Sequence, residues 1–228
     1  MNRRTLQLVL AIVSPVMFAW FADVSWAQGG PITQGPVTDL WNTGVSTSGL
    51  VLPNGTTPDP HYTLQSVPSG SSTTLVTATS AAGSPPIPPW LPDDSLSDWI
   101  GPGLSYNGTT WQLQSPAATG NYDYQTTFML TSAGSYTITG QWSAAAYGYD
   151  ILWDSNSTGD VTTGSPDYSY WTPFSITGNG AVGLHTLDFL VDNNTANPTA
   201  MTGLRVEFTA TPEPSTLVLL SVGAIGLL

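Results

Sequence analysis

Two histidines, His61 and His185, are the side chains of this chain whose unperturbed pKa lies near neutrality. Acid–base chemistry at physiological pH therefore starts from them or from carboxylates shifted by their surroundings. Asp59-Pro60-His61-Tyr62 places an acid, a rigid bend and two hydrogen-bonding rings together, an arrangement that suits tying a loop backbone better than catalysis. His185 shares strand parity with Leu187 and Phe189, which fits a satisfied, partly buried histidine. A Ser-His-acid triad needs a serine beside one of these rings and a carboxylate to orient it, and no Gly-x-Ser-x-Gly elbow supplies the nucleophile.

Carboxylates and indoles offer other chemistry. Asp93, Asp94 and Asp98 cluster beside Trp90 and Trp99. Glycoside hydrolysis requires only two carboxylates at a set separation, but Asp94-Ser95-Leu96-Ser97-Asp98 also reads as one capped turn. Sugar rings stack on exposed indole faces while acids and amides hold hydroxyls. The candidate glycan contacts are therefore Asp59, His61, Trp90, Asp93, Asp94 and Trp99, and no catalytic residue is assigned. Asp154-Ser155-Asn156-Ser157-Thr158-Gly159-Asp160 follows the first half of an EF-hand loop, but Ser165 stands where the bidentate glutamate belongs. A hairpin turn fits that stretch better. A structural calcium ion stays open, with no metal ligand and no cofactor assigned.

Composition excludes much else. Only 8% of the 228 residues are charged, with 3 Lys+Arg against 15 Asp+Glu, where a soluble domain usually has about 25%. Solubility falls to 32 Thr and 24 Ser. A formal charge of −12 repels a phosphate backbone, so nucleic acid is excluded as a partner. With neither lysine nor cysteine, there is no Schiff base, P-loop lysine, thiolate nucleophile, thiolate metal site or disulfide framework. Hydrophobic residues at 40% still permit a core.

The termini read as processing segments. Arg3 and Arg4 precede an apolar stretch from Leu6 to Phe21, and Ser25-Trp26-Ala27 supplies small residues where a signal peptidase reads. Residues 1–27 are expected to be a signal peptide cut before Gln28, with 28–36 as a linker. Cleavage leaves one base, Arg205, against 14 acids. At the other end Pro212-Glu213-Pro214 leads into the apolar run Leu217 to Leu228. Two prolines hold an extended strand that a protease can bind. A helix over that run is about 18 Å long, short of a hydrocarbon core of about 30 Å.

This tail, 211–228, resembles the PEP-CTERM sorting signal of exported bacterial proteins, apparently truncated because the Arg-rich end of that signal is missing. The resemblance implies handling by an exosortase-type membrane protease-transpeptidase and membrane attachment through the C-terminal helix. It also implies a place in the cell envelope, at the cell surface or outside the cell.

Between the ends, strand-like runs alternate with turn-rich gaps and no 3.6-residue period appears. Expected strands are His61 to Val67, Thr73 to Thr79, Tyr124 to Leu130, Ser135 to Ser143, Tyr149 to Trp153, Trp171 to Ile176, His185 to Val191 and Gly203 to Thr209. Leu204, Val206 and Phe208 share one face of the last strand, and Arg205 and Glu207 the other. If the last two strands pair, Arg205 meets Glu207 or Asp188 at the surface, where a pair contributes about 0 to 1 kcal/mol.

The expected fold is all-β: a two-sheet sandwich of jelly-roll type over 37–210, with an N-terminal signal helix and a C-terminal apolar helix. Trp41-Asn42-Thr43-Gly44-Val45, Asp59-Pro60-His61-Tyr62-Thr63-Leu64, Asp98-Trp99-Ile100-Gly101-Pro102 and Thr202-Gly203-Leu204-Arg205-Val206-Glu207 resemble a body domain of PEP-CTERM proteins, which implies a galactose-binding-like sandwich. The expected function is that of a non-enzymatic exported surface or matrix protein. A carbohydrate-binding module attached to extracellular polysaccharide is the alternative, and a glycoside hydrolase the remote one.

Overall fold

The computed structural model describes residues 30–53, 55, 58–77, 89–106, 111–114, 117–164, 166–193 and 201–210. The expected leader, most of the proline-rich connector before Trp90, and the expected Pro212-Glu213-Pro214 sorting signal with its apolar run lie outside the described residues. Within them the strands are β1 (Ile32–Gln34), β2 (Val37–Leu40), β3 (Tyr62–Ser66), β4 (Leu75–Thr77), β5 (Ile100–Tyr106), β6 (Trp111–Leu113), β7 (Asn121–Leu130), β8 (Gly134–Ala145), β9 (Tyr147–Trp153), β10 (Asn156–Ser157), β11 (Thr172–Gly180), β12 (Gly183–Asp192) and β13 (Gly203–Phe208). A single 3-10 turn, Asp167–Ser169, accompanies them. Among the described residues no helix is long and apolar enough to cross a membrane.

The strands form two antiparallel sheets. The first has the order β1-β2-β7-β12-β9-β10, with β3 also on β7, and the second β11-β8-β13-β5-β4, with β6 also on β5. Alternation explains why they pack. In β7 the residues Tyr122, Tyr124, Phe128 and Leu130 point inward, as do Leu187, Phe189 and Val191 in β12 and Leu204, Val206 and Phe208 in β13. Phe189 sits at the centre, its ring 5.7 Å from that of Trp142, 6.1 Å from Phe174 and 6.4 Å from Phe208. An all-β sandwich around a shared apolar core is thus in place.

Three expectations need correction. First, β12 and β13 do not pair: β12 lies between β7 and β9, and β13 between β8 and β5. Their matching patterns reflect two apolar faces meeting across the core, not neighbours in one sheet. Second, the stretch read as a linker contains β1, and Gln34 donates from Nε2 to the carbonyls of Thr139 (2.7 Å) and Thr209 (2.8 Å), tying the first sheet to the second. Third, the face of β13 that carries Arg205 and Glu207 is not solvent-facing. Every residue of β13 is buried, because residues 89–99 and the 3-10 turn fold over the second sheet as a lid. Beneath it Val76, Trp99, Leu113 and Ala145 form a second apolar cluster, joined by Trp90, Leu91, Tyr168 and Met201.

Candidate functional site

The lid brings Trp90, Asp93, Asp94 and Trp99 together and consumes most of them in its own construction. Asp94 caps the expected turn: its Oδ1 accepts from the N–H of Leu96 at 2.7 Å and of Ser97 at 3.2 Å. Trp99 has no exposed surface, and its indole N–H donates to the Leu91 carbonyl at 2.8 Å. Trp90 is half-buried, packs edge-on to Trp99 at 4.6 Å and stacks on Tyr168 at 5.4 Å. The expectation that Trp99 offers its face to a sugar is therefore corrected. An indole is the largest apolar side chain available, and the lid needs one to fill the gap above β5.

Arg205 pins the lid to β13. Buried to 1% exposure, its guanidinium donates from Nε to Ser97 Oγ at 2.7 Å and from Nη2 to the Ser97 carbonyl at 3.3 Å. Nη1 donates to the Pro92 carbonyl, and Nη2 also meets Asp94 Oδ2 at 2.9 Å and Glu207 Oε1 at 3.3 Å. Ser97 Oγ in turn donates a hydrogen bond to Glu207 Oε1 at 2.7 Å, while Gln141 donates to Oε2 at 2.8 Å. The Trp171 ring lies 4.8 Å from the guanidinium carbon. A surface pair contributing a fraction of a kilocalorie is thus replaced by a buried hub in which all three guanidinium nitrogens donate. Strand parity alone could not foresee this, since the covering loop lies more than a hundred residues earlier in the chain.

The side chains of Asp59 and His61 are both tied to loop backbone. The carboxylate of Asp59 accepts from the backbone N–H of Gly44 (2.7 Å), His61 (2.8 Å) and Tyr62 (3.1 Å). Burial lifts its pKa to about 6, against the pull of those three donors. The His61 ring stacks flat on Trp41 at 3.8 Å, with Nε2 3.2 Å from the Ser46 carbonyl. Burial lowers its pKa, opposed by the Ser46 carbonyl. Through Gly44 this turn abuts the lid. The N–H of Asp98 donates to the Thr43 carbonyl at 3.0 Å, Thr43 Oγ1 donates to the Asp98 carbonyl at 2.8 Å, and a Cβ on Gly44 would sit 2.5 Å from that of Asp98.

His185 and the EF-hand-like stretch form one unit. Asp154 and Ser155 both adopt positive φ in the two-residue turn from β9 to β10. Asp154 Oδ2 lies 2.6 Å from His185 Nδ1, and Oδ1 accepts from the Thr186 N–H at 3.0 Å. His185 Nε2 faces the Ala181 carbonyl at 2.8 Å. Partial burial lowers the histidine pKa, but the Asp154 and Ala181 bonds raise it by more. Bonded at both nitrogens, the ring staples a hairpin.

A face that sequence reading passed over lies outside β7, β12 and β9. Register sets Asn121, Asp192 and Tyr147 in one row, Asp123, Leu190 and Asp150 in the next, and Gln125, Asp188 and Leu152 in a third. Gln125 donates to Asp188 at 2.7 Å, and Tyr149 bonds Asn121 with Asp123, Asp192 and Asp150 nearby. Asp123 Oδ1 and Asp192 Oδ1 are shielded from solvent without a hydrogen-bond donor. Burial, then the charge of Asp188, lifts Asp123 to about 6. Period-2 alternation marks this face, but short polar residues on a sheet exterior look ordinary until the strand order is known. Among the described residues no three acids or histidines converge as a metal site.

No family model matches the chain, and no curated protein matches it. Among solved structures it is similar to a family 35 carbohydrate-binding module from an environmental isolate, at 15% identity over 48% of this chain and 84% of that one, with a TM-score of 0.28. A superposition that loose carries no argument about ligand or activity.

Proposed function

We propose that the chain is a non-enzymatic exported protein of the cell surface or extracellular matrix, built on a galactose-binding-like jelly roll and sorted through its Pro-Glu-Pro tail. The observation that carries the non-catalytic part is what its acids and histidines do. Asp59, Asp94 and Asp154 cap backbone N–H groups, and both imidazoles are engaged by backbone carbonyls. Groups so committed hold loops and strand ends in place, which supports a structural role for them. Export is supported by the leader, by solubility resting on Ser and Thr, and by the resemblance of 211–228 to an exosortase substrate. Expression in an exosortase-bearing host, followed by fractionation and N-terminal mass spectrometry, tests it. A mature chain starting at Gln28 in the envelope or medium is expected, and a cytoplasmic chain with Met1 intact refutes the proposal.

A second reading, binding of extracellular polysaccharide, is favoured by the outer face of the first sheet. There the exposed Asn121 and Tyr147 and the half-buried Gln125, Tyr149 and Asp150 share one solvent-facing surface. Sugar hydroxyls bond such amides and carboxylates, and sugar rings stack on such phenols. On a glycan array, Tyr149→Ala and Asp123→Asn are expected to abolish any binding seen for the wild type.

A further inference from the structure

The lid ends in a carboxyl group with unusual surroundings. Asp98 is fully buried, and neither of its side-chain oxygens makes a well-formed hydrogen bond. Its backbone is clamped from both sides by Thr43, and its Cβ is wedged against Gly44, so it cannot swing out to water. The group facing it is the carboxyl of Asp93. A buried carboxyl against a half-buried one, beside the buried Glu207 and with Arg205 as the counter-charge, disfavours a further negative charge on Asp98.

We propose that Asp98 keeps its proton and donates it to Asp93, so that this shared proton is a pH-sensitive clasp closing the 89–99 lid segment on itself, loosened as pH rises. The groups around the pair fit this account. On β13 they are Arg205 and Glu207, and on the lid Asp94. On the abutting turn Asp59 and His61 are already bonded to backbone, and in the 3-10 turn Asp167 takes the Thr162 hydroxyl. Burial first, and Asp93 second, hold Asp98 far above the usual carboxylate range, against the Trp99 N–H and Arg205. With a folded pKa above the unfolded one, unfolding releases a proton, and this contribution is lost as pH rises.

The test is the unfolding equilibrium of the full chain in mild non-ionic detergent, wild type against Asp98→Asn, in urea from about pH 5 to 8. Other buried acids titrate in both proteins and cancel. The ratio of the two unfolding constants is expected to change about tenfold per pH unit, or about 1.4 kcal/mol, and Asp93→Asn, which supplies an amide donor but leaves Asp98 buried, is expected to flatten the slope only in part. In the wild type, carbon NMR of the Asp98 carboxyl should show it protonated at pH 7, a measurement that needs no variant to fold. A pH-independent ratio, or an ionised Asp98 at pH 7, overturns the clasp. So does stabilisation by calcium chloride that Asp98→Asn abolishes, which would mean that the pair holds a cation instead of a proton.

Discussion

Arg205 shows how far one residue's role depends on what covers it. Its guanidinium reaches Ser97, Pro92, Asp94 and Glu207 in a planar fan that an ammonium cannot copy. Arg205→Ala leaves Glu207 buried without its counter-charge, and a loss of about 3 to 5 kcal/mol is expected in urea unfolding. Arg205→Lys should recover only part of it. Trp99→Ala empties the centre of the second cluster, at a cost of about 3 to 5 kcal/mol. If instead it abolished ligand binding while leaving stability unchanged, the packing role assigned to this indole would be wrong. Neither role is visible in local sequence. The acid-and-indole cluster of 90–99 was legible as a unit, but whether its rings face water or a sheet depends on strand order.

At the level of elements, close approach decides where strands can run. Ile100-Gly101-Pro102-Gly103 has the composition of a turn, yet it opens β5, because a Cβ at Gly103 would come within 2.5 Å of Val76 on β4. Glycine is there for contact, not flexibility, which is why β5 escaped a reading based on composition. Short β1 and β10 escaped for a different reason: two or three residues carry too little alternation to register. Gly44 joins the Asp59 turn to the lid at φ 69° and with no room for a side chain. Gly44→Ala is expected to destabilise by more than about 1 kcal/mol, with hydrogen exchange rising in both the turn and the lid. Asp59→Ala strands three N–H donors, and a loss of about 2 kcal/mol or more by thermal or urea unfolding is expected.

For the whole molecule, burial of acids in a chain with almost no bases sets the response to pH. Asp59 and Asp123 are lifted to about 6, and Asp98, Asp167 and Asp188 are also raised, each chiefly by burial. A raised folded pKa contributes stability below the unfolded value and loses it as pH climbs through the folded one. His185, also raised, has the same sign, and His61, lowered, the opposite. Differential scanning calorimetry is therefore expected to give a higher melting midpoint at pH 5 than at pH 8. The reverse order would mean that these acids ionise freely in the fold. The sequence by itself determined the class of fold, because period-2 alternation and the absence of helical periodicity are local properties. It also determined the excluded chemistries, because a residue that is missing cannot act. Only the tertiary structure decided which side of β13 meets water, which strands are neighbours, and that the one arginine of the body is a buried hub. Those outcomes rest on contacts between segments a hundred or more residues apart, whose burial no local pattern encodes.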